Sequence, residues 1–174
     1  NKADDTYGWQ FENSVTIFGV TIDDLMLTSQ EWHGYTWKHQ LTLFIPENIQ
    51  SDEVLLWITG GSMDNGEPKW ANSFDEEALA IGTIASTNQA ITAILRHTPN
   101  QPLFNGLSED ALISYTLNEF KNDGDYSWPL LFPMVKGAVR AKDAIEEYVR
   151  AQENMEVSGF LISGASKRGW TTWL

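Results

Sequence analysis

Cysteine is absent from the 174 residues, which excludes disulfide bonds and thiolate metal sites without choosing a compartment. No stretch approaches the ~18 consecutive apolar residues of a membrane-spanning helix. Nor does any internal repeat, low-complexity tract or Pro/Gly/Ser linker divide the chain, so one domain is expected. Basic residues are scarce: 11 Lys and Arg stand against 24 Asp and Glu, a formal net charge of −13. A field of that sign repels phosphate backbones and anionic lipid, which argues against nucleic-acid binding. The acidic groups Asp4-Asp5, Asp23-Asp24, Asp75-Glu76-Glu77, Glu109-Asp110 and Glu146-Glu147 are dispersed and read as solvated surface. Aromatic residues are plentiful instead, eight Trp among them, enough to fill a core. Asn1 is not a start methionine, which fits a processed or trimmed N terminus; a removed secretory signal is one explanation.

From about Val15 to Trp32, apolar and polar residues alternate, predicting one or two half-exposed strands, with His33-Gly34 as the following turn. Alternation resumes from Trp37 to Pro46, where proline ends it because it cannot donate to a sheet ladder. The pattern then changes. Val54 to Ile58 is a continuous apolar run, as in a strand covered on both faces, and Gly60-Gly61 ends it. Ser73, with Glu76 three residues on, is read as the capping box of a helix reaching about Ser86, its apolar positions including Phe74, Ala78, Leu79, Ile81 and Ile84. A buried strand at Ala90 to Leu95, an irregular loop from Arg96 to Pro102, and a helix from Ser108 to about Phe120 follow. Leu131 to Arg150 carries an apolar stripe at helical spacing and leads to a last strand, Val157 to Ser163. Antiparallel strands followed by buried strands alternating with helices predict an α/β fold: a mostly parallel sheet with antiparallel N-terminal strands and helices on both faces.

In such sheets reactive groups collect at the strands' carboxyl ends. Gly60-Gly61-Ser62, His97 and Ser166 all fall there. The last strand runs into Gly164-Ala165-Ser166-Lys167-Arg168-Gly169, which has the character of a nucleophile elbow. There a serine stands on a sharp turn between strand and helix, and small neighbours let the two pass closely. The usual spacing is G-x-S-x-G; here Arg168 holds the second glycine position and Gly169 comes one residue later. An ordinary strand-to-loop turn would also use Gly-Ala-Ser.

Read as a serine-hydrolase site, Ser166 attacks an ester or amide carbonyl of a small molecule or peptide, and the Lys167 amide faces the developing oxyanion. Gly61 is the expected second donor and Ser62 the next. Arg168 either attracts a substrate carboxylate or ties the following helix to a neighbouring acid. His97 either lines the pocket or serves the structure. His33, His39 and His97 all precede Ser166, whereas the fold orders its triad as serine, acid, histidine. The acid and base, with several more strands, are therefore expected on a further segment packed against this one. His33 and His39, beside the antiparallel strands, are expected to be exposed, and neither stands at a metal-ligand spacing. Asp123-Gly124-Asp125 is read as an ordinary turn, so no metal or other cofactor is implied. A binding or signalling protein that keeps the fold without turnover is the alternative.

Four segments carry a family resemblance: Leu55 to Ser62, Pro99 to Leu103, Trp128 to Lys136, and Ser163 to Thr172. Through them the chain resembles the PhoPQ-activated pathogenicity-related protein family, which includes the autocrine proliferation repressor, over nearly its whole length. The resemblance implies the α/β-hydrolase fold, with Ser166 at its elbow, and a secreted or periplasmic location, since members usually carry export signals. The Gly-x-Ser-basic-x-Gly arrangement at 164–169 is also similar to that of glucuronoyl esterases.

Overall fold

Alternating apolar residues and X-Gly pairs build the first half of the molecule. In the computed structural model, which describes residues 5–174, strands β1 (Gly8–Ile17), β2 (Val20–Trp32) and β3 (Tyr35–Pro46) form an antiparallel meander. Asp4 of the first acidic pair lies outside the described residues. Both connections are two-residue turns, Phe18-Gly19 and His33-Gly34, with positive φ at each residue, the conformation whose twist matches a tight hairpin. β2 is mostly buried rather than half-exposed, because helices cover the sheet on both sides. Its alternation is interrupted by a bulge at Ser29, between the pairs Thr28↔Lys38 and Gln30↔Trp37.

The chain then alternates. β4 (Glu53–Ile58) is followed by a short hairpin, β5 (Met63–Asp64) and β6 (Glu67–Pro68), then helix α1 (Glu76–Asn88) and β7 (Thr92–Leu95). Helices α2 (Glu109–Asp123) and α3 (Leu131–Glu153) precede β8 (Gly159–Gly164) and the short α4 (Lys167–Thr171). The main sheet has the order β1-β2-β3-β7-β4-β8. β7, β4 and β8 are mutually parallel, and β7 joins the meander by pairing antiparallel with β3. This is the expected α/β class, with antiparallel N-terminal strands feeding a parallel region.

One face packs on α3, whose Ala138, Ala141, Ala144 and Ile145 bury against Leu25, Leu41, Leu43, Leu56 and Leu95. Small residues on that helix let it approach the sheet closely. The opposite face packs on α1, with Ala78, Ile81 and Ala85 against Ile22, Phe44 and Ile94. The full burial of Leu56 alone is worth about 1.5–3 kcal/mol.

Several local expectations are corrected. Asp75, not Ser73, caps α1: its carboxylate accepts from the Ala78 amide at 2.8 Å. Ser73 instead donates to Asp24 at 2.8 Å. Asp23 and Asp24 are buried, one on each face of β2, because each finds donors inside: Tyr148 for Asp23, and Thr42, Gln40 and Ser73 for Asp24. Asp75 and Glu77 hold the buried Arg96 at 2.9 and 3.1 Å, tying α1 to the end of β7. Phe74, Leu79 and Ile84 are exposed, so the apolar stripe of α1 is narrower than its sequence implies. His39 is fully buried, its Nδ1 bonded to the Arg96 carbonyl and its Nε2 to the Ser29 hydroxyl, so the bulge supplies its partner. His33 is half-buried and stacks on Trp128, with centroids 3.9 Å apart.

Candidate active site at the carboxyl edge of the parallel strands

Because β7, β4 and β8 are parallel and adjacent, the loops leaving them meet at one edge of the sheet. Backbone bonds hold the first two together: the His97 amide donates to the Gly60 carbonyl at 2.9 Å, and the Thr98 amide to Thr59 at 3.1 Å. The pairing of Ile58 with Gly164 brings the elbow alongside.

Ser166 joins β8 to α4 with φ 56° and ψ −125°, a conformation that is strained for any residue with a Cβ. The turn is tight enough to specify both glycines. A Cβ on Gly164 would lie 2.9 Å from the Arg168 carbonyl carbon, and one on Gly169 would lie 2.8 Å from the Gly164 oxygen. Thus the second glycine works from position 169, one residue later than the usual pattern. Ser166 itself is exposed. As the first residue of α4, Lys167 has an amide without an intrahelical acceptor.

The glycine pair after β4 is also explained by contact. A Cβ on Gly60 would lie 2.7 Å from the Arg168 guanidinium, and one on Gly61 would lie 2.5 Å from the His97 ring. Ser62 is exposed, and its carbonyl accepts from the Lys69 amide at 3.0 Å. His97 is 1% exposed and sits at φ 62°. Its Nδ1 lies 3.4 Å from the Gln40 amide, which can only donate, so Nε2 carries the proton and donates to the Lys69 carbonyl at 3.1 Å. Burial pushes its pKa down, and this imidazole is neutral. All three histidines of the chain are thus engaged away from Ser166.

The two cations after Ser166 have partners. Arg168 meets the Glu109 carboxylate with both terminal nitrogens, at 2.9 and 3.2 Å, and donates from Nε to the Thr98 carbonyl at 2.6 Å. Lys167 bonds Glu109 and, at 2.8 Å, Asp110. Glu109 is held at a pKa of about 2, first by the Arg168 bonds, against a smaller desolvation effect. The pairing of Arg168 with a neighbouring acid is one of the two readings of the sequence, but that reading misses the acid itself, because it treats Glu109-Asp110 as helix-start surface. A signal was there: two consecutive cations in so acidic a chain call for a counter-ion. Asp123 and Asp125 form the expected turn, accepting from the amides of Asp125 and Ser127.

A strained serine between strand and helix, on a mixed sheet with helices on both faces, defines an α/β-hydrolase fold. Among solved structures, the chain is similar to a glucuronoyl esterase from Solibacter usitatus, with 12% identity and a TM-score of 0.55 over 95% of this chain and 47% of that one. It is similar also to an acetyl xylan esterase from Paenibacillus sp. R4, with 13% identity and a TM-score of 0.53 over 95% of this chain and 48% of that one. At these identities the likeness speaks for the fold alone. The chain belongs to the PhoPQ-activated pathogenicity-related protein family, which it matches over residues 1–174. It is 34% identical to autocrine proliferation repressor protein A of Dictyostelium discoideum, covering 100% of this chain and 36% of that protein. The chain thus spans about a third of that relative and about half of each esterase.

Proposed function

We propose that this chain carries the nucleophile half of a serine hydrolase acting on ester or amide bonds. The observation behind the proposal is the backbone of Ser166: an exposed serine at positive φ, on a turn that two glycines permit. Its hydroxyl attacks the substrate carbonyl and forms an acyl-enzyme that water later removes. The Lys167 amide and that of Gly61, or of Ser62 beside it, receive the oxyanion; one such donor is worth about 2.7–4 kcal/mol in the transition state. His97 and Arg168 lie behind these donors, against Gly61 and Gly60, and shape the wall that a small-molecule or peptide substrate meets. In this proposal the acid and the histidine come from the remainder of the fold, and the protein works in the periplasm or outside the cell.

A second reading, a secreted binding or signalling protein without turnover, is favoured by one observation. The 34% identical relative is named as a proliferation repressor. Labelling of the intact protein with a fluorophosphonate separates the two. The hydrolase reading expects covalent probe on Ser166 and none on Ser166→Ala. A folded protein that takes up no probe at Ser166 sinks it in favour of binding.

A further inference from the structure

Glu109 lies 58 positions before Lys167, at the start of α2, yet its carboxylate is where the elbow and both neighbouring loops are joined. Oε1 accepts from Nη2 of Arg168 and from Nε2 of Gln101; Oε2 accepts from Nη1 of Arg168 and from Nζ of Lys167. Four donors fill the roughly four lone-pair positions that a carboxylate offers. The group is therefore committed to holding its neighbours and is unavailable as a proton shuttle.

Glu109 is itself held from behind. Its amide donates to Oε1 of the buried Gln101 at 2.9 Å, completing a two-way clamp between those residues. The Gln101 carbonyl in turn accepts from the Met63 amide at 2.7 Å, which reaches the loop that carries Gly60, Gly61 and Ser62. From the other side, the Arg168 guanidinium that Glu109 grips lies against Gly60 and bonds Thr98. The loops after β4 and β7 and the elbow after β8 are thus linked through one anion. The side chains of Lys167 and Arg168 are 11% and 12% exposed, whereas that of Glu109 is 43% exposed. Without the carboxylate, the nearly buried Arg168 would keep only the Thr98 carbonyl, and Lys167 only the largely exposed Asp110, so neither cation would have a buried counter-ion.

We infer that Glu109 is a positioning residue for the Ser166 elbow: by gathering the side chains of Lys167 and Arg168, it sets where the Lys167 amide points relative to the Gly60-Gly61 loop. This rests on the serine-hydrolase reading of Ser166. Glu109 touches neither substrate nor nucleophile in this role; it acts through Arg168. Glutamine in its place keeps the shape but presents N–H groups to a guanidinium and an ammonium that need acceptors. Aspartate keeps the charge with a shorter reach.

The test uses the intact protein with Glu109→Gln, Glu109→Asp, Arg168→Gln and the Glu109→Gln/Arg168→Gln pair. Two measurements are made on each: the rate of fluorophosphonate labelling at Ser166, and amide hydrogen exchange across residues 164–172. Glu109→Gln is expected to slow labelling about tenfold or more and to speed elbow exchange, while the rest of the sheet keeps its protection. Glu109→Asp should recover part of both. In the double variant the second substitution should add less than about twofold to the loss from Arg168→Gln alone, since both remove one linkage. Labelling and elbow exchange in Glu109→Gln that match the unsubstituted protein overturn the inference, as do fully additive losses. If the unsubstituted protein takes no probe, the hydrolase reading fails. Elbow exchange then still decides whether Glu109 holds the turn.

Discussion

The ring of His97 occupies the space that a side chain on Gly61 would need: a Cβ there would lie 2.5 Å from Cδ2 and 2.9 Å from Nε2. His97 cannot retreat easily, because both its nitrogens are bonded and it is buried. The glycine pair after β4 is therefore a packing requirement of the loop as well as the place proposed for an oxyanion donor. Gly61→Ala is expected to destabilise the protein by about 1–3 kcal/mol, the usual cost of overpacking. Urea unfolding reads this directly, and slower fluorophosphonate labelling should accompany it. A variant as stable as the original would show that the ring moves freely.

The elbow makes a sharper demand, since its obstacles are backbone atoms. Gly169→Ala and Gly164→Ala each place a methyl group at 2.8–2.9 Å from main chain that cannot rotate away. Each should cost about 1–3 kcal/mol and reduce labelling of Ser166. Gly8→Ala, whose Cβ meets nothing within 4 Å, is the control and should change stability by less than about 0.5 kcal/mol.

The order of elements from β2 on, the antiparallel start and the placing of Ser166 at a strand end were legible in the sequence, whereas most of β1, before Val15, and the short β5–β6 hairpin were not. The legible features depend on local patterns: alternation along β2 and β3, the apolar run in β4, helical spacing in α3, and glycines around one serine. Burial of His39 and Asp24 was not legible. Each is a polar residue within an alternating strand, and its surroundings are set by Ser29, Arg96, Gln40 and Ser73, brought close by pairing and by the bulge.

That burial gives a pH dependence. His39 is neutral inside the protein, and desolvation pulls its pKa down to about 4 from an ordinary value near 6.5. The unfolded chain therefore binds more protons between about pH 6.5 and pH 4. Stability is full above pH 6.5 and falls as the solution is acidified through that window, by up to about 3 kcal/mol from this residue. His97, shifted in the same direction, adds to the slope. Urea unfolding at pH 7, 5.5 and 4.5 should follow this fall, and His39→Gln should flatten it. An unchanged slope in that variant would place the acid sensitivity elsewhere.

Asp24 anchors α1 to the sheet through Ser73. Its carboxylate accepts from Thr42 at 2.6 Å, Gln40 at 3.2 Å and Ser73 at 2.8 Å. Asp24→Ala removes the common acceptor of three donors, two of them buried, and is expected to cost about 3 kcal/mol or more. Ser73→Ala, which removes one donor and leaves the others paired, should cost about 1–2 kcal/mol. Equal effects from the two variants would contradict the shared role of Asp24.

By itself the sequence determined what depends on neighbours along the chain: the strand and helix periods, the His33-Gly34 turn, the α/β order and a serine framed by glycines. Only the tertiary structure decided which charges face inward and what they meet. Arg168 illustrates the difference. Its position beside Ser166 is a fact of sequence, but whether its guanidinium reaches outward or is already engaged depends on Glu109, 59 residues earlier, and on the Thr98 carbonyl. Local pattern specifies direction and period along the chain. A charge is settled by the groups that folding brings within about 3 Å of it, and these belong to other strands and loops.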